Sequence, residues 1–377
     1  MQAARACELV RAVAVEKAFS TVGARMTEPG STLRKDPIYV VGGKLRHRVL
    51  RDLEEWQSCE QALIVQLDPD QKTAHTMVEY VSPPSVCAGP DAAVLFKAAS
   101  LRGNRLYACT STEVLVYELP GFRLLHYVSL PCFNDVHHVA PSNRETLLVA
   151  VTGLDMVVEV SLDGEVLQEW DVLGEPLWTR FSRDVDYRLV PTTKPHRSHP
   201  NHVFQLGDEI WVTRLHQRDA ISLSDPSRRI DIAVQRPHDG YPADEAVFFT
   251  TVDGHVVIAD QKTLQVKKVV DLTAINGRAN QVMGWCRGLL PLDERFVWVS
   301  FTYVRPTKFK ENLAWIKSGA TKRKPSHMAL YDFERGLCLK EVPLEPHGIG
   351  VVYSMFHVPA LEPAEANEVT ASREAQE

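Results

Sequence analysis

The sequence predicts an all-β chain folded as a single β-propeller of about six four-stranded blades. Three observations carry that expectation. Short apolar strands recur along the chain, with turn residues every eight to twelve positions or so. They fall into consecutive sets of four that each span roughly forty residues, the length of a propeller blade. The two ends of the strand-bearing region hold complementary pieces of one further blade.

The first blade is read at 94–101, 105–110, 114–119 and 123–129, and the second at 135–140, 146–152, 156–161 and 166–172. Asp163-Gly164 between the last two strands is a hairpin signal. The third blade takes 202–206, 209–215, 220–223 and 229–234. The fourth takes 241–243, 246–251, 255–260 and 265–271, with Asp253-Gly254 as its hairpin turn. The fifth takes 286–292, 295–303, 327–333 and 337–343. Strands at 38–42, 62–67 and 76–81 lack an inner strand before them, and the strand at 347–358 lacks outer strands after it. Pairing the N-terminal outer strands with the C-terminal inner strand closes the ring and leaves no open sheet edge.

The propeller accordingly occupies residues 36–360. Residues 1–35 form a loosely docked or disordered arm, and 361–377, rich in Ala and Glu, a disordered tail. Two insertions interrupt the blades, at 174–200 and 305–326. The second carries seven Lys/Arg against one Glu. Long loops of this kind are usually functional or disordered, and either would suit a lid over a channel mouth.

Composition bounds the function. The 377 residues are 45% hydrophobic and 24% charged with a net charge of −6, ordinary globular usage that argues against a nucleic-acid-coating surface. No apolar run is long enough for a membrane helix, and Glu8, Arg11, Glu16 and Lys17 break any signal-peptide pattern. The seven cysteines are scattered, odd in number and without a C-x-x-C pair, so reduced thiols and a cytoplasmic setting are expected. No phosphate loop, G-x-G-x-x-G or G-x-S-x-G is present, so no nucleotide cofactor is expected.

The fourteen histidines, in contrast, gather where blades begin. Asp135-Val136-His137-His138-Val139 opens the second blade, and His196-Arg197-Ser198-His199-Pro200-Asn201-His202 leads into the third. Pro237-His238-Asp239-Gly240 precedes the fourth, and Pro346-His347-Gly348-Ile349 opens the closing blade. In a propeller the first strand of each blade lines the channel, so such residues converge on the axis. Imidazoles from several blades could then hold iron(II) or zinc with a position open to substrate. The expected ligands are His138, His202, His238 and His347. His137 and His138 alternate along a strand, so only one is expected to face the axis, and His138 shares the His-Val register of His202.

Around that centre, Asp239 would orient an imidazole, and Arg287 and Tyr353 would serve catalysis. Arg180, Trp178 and Arg214 would bind substrate, the arginines through a bidentate fork to an anionic group. Each also has a plain structural role open to it: surface ion pairing for the arginines, core packing for Tyr353. Cys286 beside Arg287 is either an activated thiol or, more commonly for a strand cysteine, a buried one. His216 is expected near the opposite face or in packing.

The Pro-His-Gly-Ile at 346–349 and the Asn-His-Val at 201–203 resemble strand openings of six-bladed propellers of the NHL and gluconolactonase-like kind. The resemblance implies that architecture over about residues 38–360. Related propeller enzymes suggest what the histidines do. Similarity to peptidyl-hydroxyglycine amidating lyase implies zinc on His138, His202 and His347, and similarity to carotenoid-cleaving oxygenases implies iron on all four expected ligands. The gluconolactonase pattern of acidic and Asn ligands is not matched.

Two functions follow. One is a metal-dependent lyase or oxygenase acting on a small, anionic molecule in the channel. The other is a non-catalytic scaffold that binds a protein or peptide partner, for which the basic 305–326 loop would suit an acidic surface.

Overall fold

The computed structural model describes residues 36–46, 57–277, 281–304 and 322–357. Expectations for 1–35, 361–377 and residues 305–321 of the second insertion lie outside them. The chain starts with β1 (Ile38–Leu45), β2 (Cys59–Asp68) and β3 (Thr73–Tyr80). The first complete blade is β4 (Ala98–Arg102), β5 (Arg105–Cys109), β6 (Val114–Glu118) and β7 (Arg123–Val128). The second is β8 (Val136–Pro141), β9 (Leu147–Val151), β10 (Met156–Val160) and β11 (Val166–Asp171). The third is β12 (Pro200–Leu206), β13 (Glu209–Arg214), β14 (Asp219–Ser222) and β15 (Arg229–Asp231). The fourth is β16 (Tyr241–Ala243), β17 (Ala246–Thr250), β18 (His255–Asp260) and β19 (Val266–Asp271). A short helix, α1 (Leu272–Asn276), follows, capped by the Asp271 carboxylate on the Thr273 and Ala274 amides. The fifth blade is β21 (Trp285–Pro291), β22 (Phe296–Thr302), β24 (His327–Asp332) and β25 (Leu337–Pro343). It is flanked by the two-residue parallel pair β20 (Gln281–Val282) and β23 (Lys322–Arg323).

The ring closes as the strand pattern requires. The last strand, β26 (Val351–His357), pairs antiparallel with β1, and the sheet order is β26-β1-β2-β3. Six four-stranded antiparallel sheets result, a six-bladed propeller.

Middle strands are largely apolar because each is covered on both faces by neighbouring blades. β9 and β10 are buried at every position, whereas outer β11 leaves Val166 and Leu167 exposed. Core clusters therefore run from blade to blade. Val149 and Val158 of the second blade pack with Tyr107 and Val116 of the first. Phe204 and Trp211 of the third pack with Val247 and Phe249 of the fourth. Each such side chain contributes about 1.5–3 kcal/mol through burial. The fifth and closing blades are joined by Thr302, whose hydroxyl lies 2.7 Å from the Val352 carbonyl and 3.0 Å from its amide. Both expected hairpin turns form, with Gly164 and Gly254 at φ of 91° and 99°, a region that favours glycine.

Two strand starts differ most from expectation. Residues 94–96 of the first blade's expected inner strand are a lead-in tied to the closing blade: the Val94 amide donates to Cys59 O and the Phe96 amide to Gly42 O. The expected strand at 347–358 begins only at Val351, because Glu345–His347 is a 3-10 helix ended by Gly348 at φ 83°.

Candidate functional site

The inner strands β4, β8, β12, β16, β21 and β26 surround the channel, which carries a cavity at each end. Where these strands begin, a cavity of about 440 Å³ is lined by Lys97, Asp135, Lys194, Arg287, Tyr353 and residues around them. Where they end, a cavity of about 450 Å³ is lined by Ser100, His138, His202, Asp239 and Tyr353 among others. Tyr353, only 7% exposed, belongs to both walls and so stands in the partition between them.

Histidines form two groups rather than one axial ring. The rim group meets the first cavity through Asp135. One ligand atom each from Asp135, His196 and His199 lie within 4.8 Å of one another. His196 Nδ1 is 2.7 Å from His199 Nδ1, and His196 Nε2 is 3.9 Å from Asp135 Oδ2. The other Asp135 oxygen accepts from the Lys97 ammonium. The His137 ring stands edge-on to His199 at 4.8 Å, with its Nδ1 2.6 Å from the Asp135 carbonyl. His216, expected at the opposite face or in packing, lies here too: its ring is 6.1 Å from that of His199 and its amide donates to Ser198 O.

A second carboxylate holds this loop in place. Asp155, 1% exposed, accepts from the backbone amides of Arg197, Ser198 and His199 and from Arg180 Nη1 at 2.7 Å. Asp135, Asp155 and His199 all have positive φ, at 52°, 52° and 59°. Such conformations cost energy and persist where surrounding contacts enforce them.

Electrostatics keeps the group ready to ligate. Burial pushes His196, His199 and His137 below the ordinary imidazole range, so they are neutral at pH 7. Burial opposes the charge on Asp135, but the Lys97 ammonium outweighs it and the carboxyl is held well below its usual range. Two neutral imidazoles and a carboxylate are a donor set for zinc or iron(II). Tetrahedral ligation needs nitrogens about 3.3 Å apart. Loading would therefore open the 2.7 Å imidazole contact slightly and draw the carboxylate in.

The inner group is built differently. The His138 and His202 rings stack at 3.5 Å and 25°. His138 Nδ1 accepts from the Val203 amide at 3.4 Å, and its Nε2 is 3.3 Å from Ser100 Oγ, so both nitrogens have partners. Burial drives His138 down to about 3. A register shift between Val136 and His138 lets both adjacent histidines turn inward, one to each group. The alternation that would allow only one to face the axis fails there. His238 is separate again, with Nδ1 3.2 Å from Asp239 Oδ1 and a buried Nε2 that has no partner. Asp239 also accepts from Thr250 Oγ1 and the Gly288 amide. His347 is half-buried in its 3-10 helix and lines neither cavity.

The other expected site residues divide. Arg287 and Tyr353 line the first cavity, with the guanidinium 4.6 Å over the tyrosine ring. Arg180 is committed to Asp155, and Arg214 makes a bidentate pair with Asp219. Trp178 donates to Glu169 and lies under Arg183. None of these three lines either channel cavity. The segment 174–200 is a fastened strap rather than a free lid: Asn134 Nδ2 donates to Tyr187 O and Val190 O, and Thr193 Oγ1 to Gly153 O. Cys286 is fully buried and its thiol is raised by that burial, which makes it an inert core residue. The six described cysteines are all free thiols. Among the described residues no helix is long and apolar enough to cross a membrane.

Asp135, His196 and His199 were not among the expected ligands. The signal that points to them is local, a His-x-x-His pair at 196–199 and an Asp two residues before His137.

No family model and no curated protein matches the sequence. A solved structure of a protein of unknown function from Bacteroides caccae is similar in fold, with a TM-score of 0.54 at 12% identity. It covers 85% of this chain and 98% of its own. A structure of the mitotic checkpoint complex aligns with a TM-score of 0.45 at 9% identity, over 89% of each chain. At these identities the likeness concerns the fold alone.

Proposed function

We propose that the protein is a metal-dependent enzyme that holds one zinc or iron(II) ion on Asp135, His196 and His199 and acts on a small molecule in the adjoining cavity. The observation that carries this reading is the gathering of two neutral imidazoles, on a loop pinned by Asp155, around a carboxylate that lines a 440 Å³ cavity. A non-catalytic scaffold has no need of that strained, pre-set geometry. Zinc would supply Lewis acidity suited to a lyase, and iron(II) a means of engaging dioxygen. The chain's own groups would admit and orient the substrate. The resemblance to propeller enzymes that hold zinc or iron on histidines belongs to this reading, with the metal moved from the axis to the rim. The free thiols are consistent with a cytoplasmic setting.

Elemental analysis of tag-free protein tests it. About one zinc or iron per chain is expected, absent from a folded His196→Ala/His199→Ala variant and retained in His202→Ala/His347→Ala. Loss in the second variant but not the first would return the site to the axial set of His138, His202, His238 and His347. Protein that takes up neither metal would leave the partner-binding scaffold as the better reading.

A further inference from the structure

Among the residues lining the first cavity, cations outnumber carboxylates. Lys97, Lys194, Arg188 and Arg287 line it, against Asp135. Lys97 is paired with Asp135, and Arg188 with Asp186. Arg287 stands apart. Among the described residues its guanidinium donates no hydrogen bond, and its Nε is buried without a partner. Leaving such a donor buried and unmet costs about 1–3 kcal/mol, more for a charged group. A native protein tolerates that mainly where a ligand or water completes the group.

Two further polar atoms at this spot are also unmet. The Tyr353 ring lies under Arg287, and its hydroxyl has no hydrogen bond among the described residues. The His238 ring is 5.9 Å from the same tyrosine, and its Nε2 is buried and unpartnered. Facing them, Leu95, Val351 and Trp285 give the cavity an apolar wall.

We propose that this cavity binds a small organic acid, with its carboxylate clamped by Arg287 and Tyr353 and its apolar body against Leu95, Val351 and Trp285. A planar guanidinium whose two Nη groups donate no hydrogen bond among the described residues matches a planar carboxylate in a fork. Phosphate is the poorer fit, because its sites draw on several backbone amides at a helix start or nest, and Arg287, Tyr353 and His238 offer side-chain groups alone. The inference uses none of the three rim ligands, so it stands or falls apart from the metal reading.

Calorimetric titration of the full chain with hexanoate, hexan-1-ol and inorganic phosphate tests it. Hexanoate should bind about tenfold or more tightly than hexan-1-ol, the margin of one charge-assisted contact. Arg287→Gln should erase that preference, and Tyr353→Phe should weaken hexanoate about threefold to tenfold. Arg102→Gln, the same change of charge at the other cavity, should leave binding intact. Hexanoate binding should also survive in His196→Ala/His199→Ala. The assignment is overturned if hexanoate does not bind, if Arg287→Gln binds it as well as the parent, or if phosphate binds more tightly through Arg287. Should Arg287→Gln fail to fold, an unchanged affinity in Tyr353→Phe would overturn the clamp as drawn.

Discussion

The rim and inner histidine groups draw on the same β8 and on the same stretch leading into β12, yet they have opposite chemical characters. At the rim, His196 and His199 face a carboxylate that lines a cavity, and they rest on backbone held by Asp155. Inside, His138 and His202 face each other, with both His138 nitrogens engaged by the protein. Imidazoles in both places are pushed towards neutrality by burial. What separates a ligand set from a packed pair is the nearby carboxylate and the direction of the lone pairs.

Asp155→Asn would break that contrast most severely. The side chain is 1% exposed and accepts four hydrogen bonds, three of them from the amides that shape the 197–199 turn. An amide of the same shape turns an NH2 towards donors and leaves Arg180 without its counter-charge. A cost of about 3–5 kcal/mol is expected, as for breaking a buried pair, measured by urea denaturation. Zinc and iron content should fall with it. A variant that keeps its stability within about 1 kcal/mol and keeps its metal would mean that the turn holds itself, and that the rim is no more specialised than the inner pair.

The architecture was legible because it rests on local signals that tertiary contacts do not override. Apolar runs such as Leu147–Val151, Asp-Gly turns and the split closing blade each read correctly from the chain. The site was legible only as a gathering of histidines at blade openings. A register shift at Val136–His138 cannot be seen in a sequence, and it turned His137 to the rim. Asp155 lies more than forty residues from the turn it organises, so nothing local marks His196 and His199 as pre-set ligands. Pro346 and Gly348 were the cues that a short helix, and not a strand, carries His347.

Acid should sharpen the comparison next. His202 has a folded pKa well below its ordinary value, first because of burial and then because of His138 and His238. A depressed histidine stabilises the fold fully above its unfolded pKa near 6.5, and that contribution is lost as pH falls below it. By pH 5 the loss from one such group is about 2 kcal/mol. His202→Phe keeps a ring against His138 and sacrifices no hydrogen bond. At pH 7 it should therefore lie within about 1.5 kcal/mol of the parent, while the fall in stability between pH 7 and pH 5 shrinks by about 2 kcal/mol. Metal content should not change. An unaltered pH slope in denaturation would show that His202 takes up its proton as readily in the folded chain as in the unfolded one.

The smallest effect is expected at His347, and its smallness is informative. The residue is half-buried in the Glu345–His347 helix, lines neither cavity and has no resolved interaction with the other histidines. His347→Ala should shift stability by no more than about 0.5 kcal/mol, as for an ordinary surface change, and leave metal content as it was. A marked loss of metal from this single variant would place a ligand where the fold shows only a connection, and would restore the axial arrangement at the expense of the rim. If metal stays, the closing blade contributes its Tyr353 to the cavity while its histidine serves only the turn that precedes β26. The division between the two groups would then be set by backbone geometry, with position along the blade counting for less than the carboxylate at hand.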